Sequence, residues 1–345
     1  MVELGLDTFG DVTSGDDGQP ITQAQALRNV VIEGVLAEQV GIDYFGVGEH
    51  HRADFAVSAP EVVLAAIAAR TARIRLGSAV TVLSSDDPVR VFQRFSTLDA
   101  LSNGRAEVIL GRGSFTESFP LFGYDLSDYD TLFEEKLDLF VRLLEGNPVT
   151  WSGRTRSPLT NQRIYPPIED GLLRTWVGVG GSPESVVRAA RHGLPLTLAI
   201  IGGSARRFLP FVDLYQRALK EFGKPAQPIG VHSPGHVAES DEQAREELWP
   251  HFSAMMNRIG RERGWPPRDR RDFDREAGPD GALYVGSPET VAQKIARTVQ
   301  LLGVSRFDLK YSNGTMPHDL LMRSIELYGR EVVPRVQAAA TVATR

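Results

Sequence analysis

Eight times along this chain a short run rich in β-branched and aromatic residues gives way to a longer segment of helical period. Such alternation favours a parallel sheet, because parallel strands need long crossovers and the crossover helices then cover the sheet. Eight is also the number of units that closes a barrel. The runs read as strands are 2–6, 44–47, 74–83, 106–110, 175–179, 196–201, 229–238 and 307–311. The expected fold is therefore an α/β (β/α)8 TIM barrel, with an open doubly wound sheet as the competing reading.

Helix starts fall between these runs. Thr22 with Gln25 and Ser240 with Gln243 have capping-box spacing, and Pro60, Pro88 and Pro183 stand at first helical positions. Two segments exceed a minimal barrel: 113–127 after strand four, and 261–280 before strand eight. Insertions of that length usually serve as lids or binding loops. No interdomain linker is visible, so 1–345 is expected to form one domain.

Composition excludes several function classes. A formal charge of −6 gives no electrostatic reason for nucleic acid or an anionic membrane as partner. With no cysteine, disulfides, thiolate metal sites, iron–sulfur clusters and cysteine nucleophiles are ruled out. The N-terminal residues do not form a signal peptide, and no run of about 18 apolar residues offers a bilayer span. A cytoplasmic protein is expected.

In barrels of this kind, reactive groups lie where strands end and βα loops begin. Three strand ends stand out. Gly46-Val47-Gly48-Glu49-His50-His51 follows strand two. Alternation puts Gly46, Gly48 and His50 on one side and Phe45, Val47 and Glu49 on the other. The glycines would leave room for a flat ligand beneath His50, a hydrogen-bond partner or proton carrier near neutral pH. Capping or surface roles for His50 and His51 are equally open. Adjacent histidines point apart, so a metal site is disfavoured. Gly111-Arg112-Gly113 follows strand four, where a guanidinium between glycines can meet phosphate bidentately or pair with a carboxylate such as Glu117. Gly178-Val179-Gly180-Gly181-Ser182-Pro183 follows strand five. Ser182 is the natural N-cap, and Gly180 and Gly181 would let an anion approach bare helix amides. Gly286-Ser287-Pro288-Glu289 repeats the cap without the glycine pair and reads as a cap alone. The dinucleotide fingerprint is absent, so a Rossmann NAD site is disfavoured.

Taken in order, these strand ends resemble the bacterial luciferase-like flavin monooxygenase family over roughly residues 1–334. The pieces that carry the resemblance are GIDYFGVGEHH, IRLGSAVTVLSSDDPVRVFQRFSTLDALSNGRAEVILGRG, VGVGGSPESVVRAARHGLP and YVGSPETVAQKI. The segment from strand three through GRG is the most specific. The resemblance implies a (β/α)8 barrel binding flavin at its C-terminal face, with His50 as the active-site histidine. It implies that Ser78, Ala79 and Val80 lie under the flavin ring, with a cis peptide at Ala79–Val80. Arg112 and Ser114 match phosphate and ribityl contacts, and Gly181, Ser182 and Ser185 match the phosphate-binding helix start, beside Gly180. Luciferases proper carry an acidic residue where this chain has Gly181 and a bulky apolar one where it has Ser114, which argues against light emission and long-chain aldehydes.

The implied activity is an FMN-dependent oxidoreductase, a monooxygenase using reduced FMN and O2 on a small organic substrate. A separate flavin reductase and a homodimer are the implied partners. The rivals are F420-dependent chemistry on the same fold, a non-catalytic flavin carrier, and a metal-dependent hydrolase using His50 and His51. Phe115, Phe119, Phe122 and Tyr124 suggest an apolar substrate wall or ordinary loop packing.

Overall fold

The computed structural model describes residues 2–15 and 17–342; Met1, Asp16 and 343–345 lie outside the described residues. Eight parallel strands form the sheet: β1 (Glu3–Thr8), β2 (Tyr44–Val47), β3 (Arg75–Ser78), β4 (Ala106–Gly111), β5 (Arg174–Val179), β6 (Leu196–Ala199), β7 (Ile229–Val237) and β8 (Arg306–Lys310). Each pairs with the next, and β8, which lies between β7 and β1, pairs with both and closes the ring. The barrel is complete, and the open-sheet alternative falls. Around it run the helices α1 (Gln23–Gln39), α2 (Pro60–Ala68), α3 (Pro88–Ser102), α4 (Tyr129–Leu144), α5 (Pro183–His192), α6 (Leu209–Glu221), α7 (Pro288–Leu302) and α8 (His318–Leu327).

The period of two in the strands sorts their side chains into two cores. Leu4, Leu6, Phe45, Val47, Val108 and Leu110 point outward and are fully buried with the helix faces. The alternate positions point into the barrel, where Tyr44, Ile109 and Trp176 form a separate small cluster with Val80 against it. Much of that interior is ionic rather than apolar. Arg306 is fully buried, pairs with Glu107 and Asp308, and holds its guanidinium 3.6 Å above the Tyr44 ring.

The third strand departs from the expected continuous run. It breaks at a cis Ala79–Val80 peptide and resumes as a two-residue strand, Thr81–Val82, paired with β4. Glu49 ties the break down: its Oε2 accepts from the Val82 amide at 2.9 Å. The motif LSNGR that follows α3 is structural. Asn103 and Gly104 take positive φ (56° and 78°), and the buried Arg105 side chain donates to the carbonyls of Ala68, Thr71, Ile74 and Ser102.

The insertions differ from expectation in extent. After β4, 113–127 forms a loop with a short helix, Ser118–Leu121. A second excursion, a hairpin of Val149–Trp151 with Leu159–Gln162, precedes β5 and left no clear signal in the sequence. The largest excursion begins at Ser240, not Arg261. The helix Asp241–Arg263 capped by Ser240 belongs to it, with Arg270–Ala277 and a short strand, Tyr284–Gly286, added beside β7. The second GSP cap, at Ser287, therefore starts the seventh ring helix, and the helix read as the seventh is inserted.

Candidate functional site

The C-terminal ends of the strands surround a cavity of about 400 Å³. All three strand ends singled out by sequence reach it. His50, Ala79, Val80, Arg112, Ser114, Gly180 and Ser185 line the wall, while Ser78, Gly181 and Ser182 do not. Ser78 is buried behind the wall, its hydroxyl donating to the Ile109 carbonyl at 3.2 Å and accepting from the Ile109 amide at 3.3 Å. It pins the end of β3 to β4.

One end of the cavity is cationic and amide-rich. Ser182 caps α5 by accepting from the Ser185 amide at 3.3 Å, and its hydroxyl donates to Glu184 Oε2 at 2.8 Å. Gly181 has φ +110°, a conformation that favours glycine, and a Cβ at Gly180 or Gly181 would meet no atom within 4 Å. Arg112 stands across from this helix start. Its guanidinium lies 5.2 Å from the Tyr129 ring and contacts the exposed Asp130 at 2.8 Å. Glu117, the partner considered for it, is bound to Arg52 instead. Arg188 adds a second guanidinium, held by Glu134, with Nη1 3.4 Å from Ser185 Oγ.

The opposite wall is aromatic. The His50 ring lies 4.6 Å from Phe9, 4.5 Å from Phe55 and 5.1 Å from Phe115. Burial, followed by the charges of Lys310 and Arg52, pushes its pKa down to about 3. In these surroundings the neutral form of the His50 imidazole is favoured. His51, also on the wall, is paired with Glu49 at 2.8 Å. Among the described residues no three His, Asp or Glu side chains converge as metal ligands. The space expected beneath His50 is filled. A Cβ at Gly46 would stand 2.9 Å from Ala79 and Tyr44, and one at Gly48 would stand 2.4 Å from Phe9. Those glycines admit protein side chains, and the cavity lies further toward β4 and β5.

With that geometry in view, likeness to known proteins is informative. Residues 8–306 match the family defined as luciferase-like monooxygenase. The chain belongs to that family. Among relatives, the 4-hydroxyprotoasukamycin monooxygenase of Streptomyces nodosus subsp. asukaensis is 29% identical over 314 residues, covering 86% of this chain and 84% of that enzyme. Limonene 1,2-monooxygenase of Rhodococcus erythropolis is 28% identical over 341 residues, 95% of this chain and 87% of that one. Three solved structures share the fold. Monooxygenase RslO1 from Streptomyces bottropensis superposes with a TM-score of 0.82 at 23% identity, covering 96% of this chain and 99% of that chain. The oxygenating constituent of 3,6-diketocamphane monooxygenase from Pseudomonas putida, in complex with FMN, gives 0.77 at 18%, covering 97% and 99%. An F420-dependent secondary alcohol dehydrogenase gives 0.73 at 18%, also covering 97% and 99%.

This luciferase-like barrel also places in its cavity residues that the sequence reading missed. Asp7, Phe9, Thr197, His232 and Lys310 come from β1, β6, β7 and β8 or their ends, and Phe252, Met255, Met256, Ile259 and Trp265 from the inserted segment. For Asp7, His232 and Lys310 the signal was present: a charged or imidazole side chain at the inward parity of an otherwise apolar buried strand. Of the aromatic cluster in 113–127, Phe115 alone faces the cavity; Phe119 stacks on Tyr129, Phe122 meets His51, and Tyr124 lies under Lys136.

Proposed function

We propose that this chain is an FMN-dependent monooxygenase that uses reduced flavin and O2 on a small, largely apolar organic substrate. The observation that carries the reading is the polarity of one cavity. A guanidinium, a serine hydroxyl and open helix amides mark one end, and beyond it aromatic and aliphatic side chains such as Phe9, Phe55, Phe115 and Ile109 share the wall with a polar floor of Asp7, His232, Asp308 and Lys310. A phosphate-bearing planar cofactor fits that division. Gly180 and Gly181 leave the amides of α5 accessible, and Asp130, the carboxylate that contacts Arg112 among the described residues, is exposed. Reduced flavin would supply the two electrons for dioxygen activation.

In this reading, Arg112, Ser185 and the first turn of α5 hold the phosphate, with Arg188 reinforcing Ser185. Ala79 and Val80 present an apolar ledge to the ring, and Ser114 lies beside the connecting chain. Phe115 and Trp265 exclude water from the reacting end. The FMN-bound neighbour of the same fold supports the cofactor, and the monooxygenase relatives support the reaction. A separate flavin reductase and a cytoplasmic homodimer complete the proposal. The F420-dependent neighbour keeps deazaflavin as the alternative cofactor.

The test is a fluorescence titration of the protein with FMN and, separately, F420. FMN should bind, and Arg112→Ala with Ser185→Ala should weaken it by roughly 10–100-fold, the equivalent of losing one or two charge-assisted hydrogen bonds. Unchanged affinity in the double variant, or binding of F420 in place of FMN, would overturn the assignment.

A further inference from the structure

The cavity holds two histidines whose surroundings push them in opposite directions. His50 lies among phenylalanines and, among the described residues, neither ring nitrogen has a hydrogen-bond partner. His232 on β7 is placed differently. Its Nδ1 lies 2.7 Å from Oδ2 of Asp7 on β1, and its ring is stacked 6.2 Å from Phe9. Asp7 is 1% exposed, and its second oxygen, Oδ1, is buried without a partner. Strand β8 lies between β7 and β1, so the pair bridges across it through the barrel interior. Both residues face the cavity.

We infer that Asp7 and His232 form the proton-handling pair of this site, His232 Nε2 giving and taking the proton and Asp7 acting as its positioning residue. The inference rests on the monooxygenase reading above. With Nδ1 committed to Asp7, Nε2 is the nitrogen left to meet a ligand. Donation from Nε2 of the imidazolium leaves a neutral ring whose Nδ1–H still bonds Asp7, so the transfer needs no reorientation.

The charges facing His232 are Asp7 from β1 and Asp308 and Lys310 from β8; its neighbour on β6, Ala199, brings none. Burial opposes the charged ring and Lys310 adds to that, but Asp7 and Asp308 outweigh both and raise the pKa above 6.5. Lys310 is itself tied to Asp11 and Ser312. His50, by contrast, stays neutral. Two titratable groups in one cavity driven apart in this way are assigned different roles.

The reaction needs such a group. Substrate, O2, two electrons and two protons give oxygenated product and water, the electrons coming from the reduced flavin of the proposed reaction. His232 handles one proton. Its Nε2–H bond breaks, an O–H bond forms on the oxygen that leaves as water, and the neutral ring is reprotonated from solvent before the next turnover.

The pair can be tested without any cofactor by NMR of the protein labelled at histidine, assigned with single His→Gln variants. His232 should titrate above 6.5 and fall below it in Asp7→Asn, while His50 should show no titration down to pH 4. With flavin loaded, His232→Gln should lower kcat at least tenfold and remove the basic limb of its pH profile, leaving the flavin Kd within twofold. Asp7→Asn should move that limb to lower pH. The inference fails if wild-type His232 titrates at or below 6.5, if Asp7→Asn leaves its pKa in place, or if His50→Gln abolishes the limb while His232→Gln keeps it. Absence of FMN binding would sink the cofactor assignment alone, because the NMR titration reads the pair independently.

Discussion

At His50, the same aromatic contacts that shape the cavity wall dictate how the protein responds to acid. An unfolded chain binds the imidazole proton near 6.5, and the folded chain binds it only near 3. Between those values the unfolded state therefore holds more protons, so stability rises with pH across the window and is complete above 6.5. From pH 7 to pH 5 this one group removes about 2 kcal/mol. His50→Gln should be correspondingly less acid-sensitive, measured as the change in urea midpoint between the two pH values. Equal sensitivity of the two proteins would contradict the burial argument. His50, Arg112 and the Gly180–Ser185 helix start could be found from local pattern because each is a residue type at a strand end. Their protonation and pairing could not, because those depend on Phe9, Phe115, Lys310 and Asp130 arriving from elsewhere in the chain.

Among the elements, the two mouth insertions are not independent. Arg52, after β2, contacts Glu117 in the insertion after β4 and Glu262 at the end of the inserted helix, where its nitrogens lie 2.8 and 2.7 Å from the carboxylate oxygens. Arg263, next along that helix, donates to the Ser114 carbonyl at 2.9 Å and lies over Phe115. The carboxylates are over a third exposed, so the pairs add little to global stability. Their effect is local. Arg52→Ala should speed hydrogen exchange in 114–123 and 257–264 by roughly tenfold while moving the thermal midpoint little. Protection unchanged in both segments would show that the insertions close without it. The cap at Ser287 carries a related lesson. Two identical GSPE starts, at Ser182 and Ser287, both begin ring helices, but only the first follows a glycine pair, of which Gly180 lines the cavity.

Across the whole molecule, the barrel interior is organised by a buried charge cluster rather than by apolar layers alone. Arg306 neutralises Glu107 and Asp308 at the level where β1 and β3 are narrowed by glycine. A Cβ at Gly5 would stand 2.1 Å from Asp308 Oδ1, and one at Gly77 would stand 2.7 Å from the Glu107 carbonyl. Burial, only partly offset by Arg306, lifts the Asp308 pKa to about 6. Arg306→Met leaves Asp308 buried without its counter-ion and Glu107 with only the more distant Arg75 and Arg174, at 3.7 and 3.9 Å, and should cost about 3–5 kcal/mol in urea unfolding. Adding Glu107→Gln and Asp308→Asn should recover most of it. A single variant as stable as the parent would show that the cluster contributes no net constraint.

The amino-acid sequence alone determined the barrel, the order of its strands, the ring helices other than the seventh, and three of the strand ends that meet at the mouth. Those are products of periodicity and local caps, which act over a few residues. Tertiary structure alone decided which helix follows β7, where Arg52 and Asp7 find their partners, and in which direction each imidazole's pKa is pushed. Those outcomes come from groups separated by up to 225 positions, as in the Asp7–His232 pair. The field and desolvation at such a site exist only once the barrel has closed.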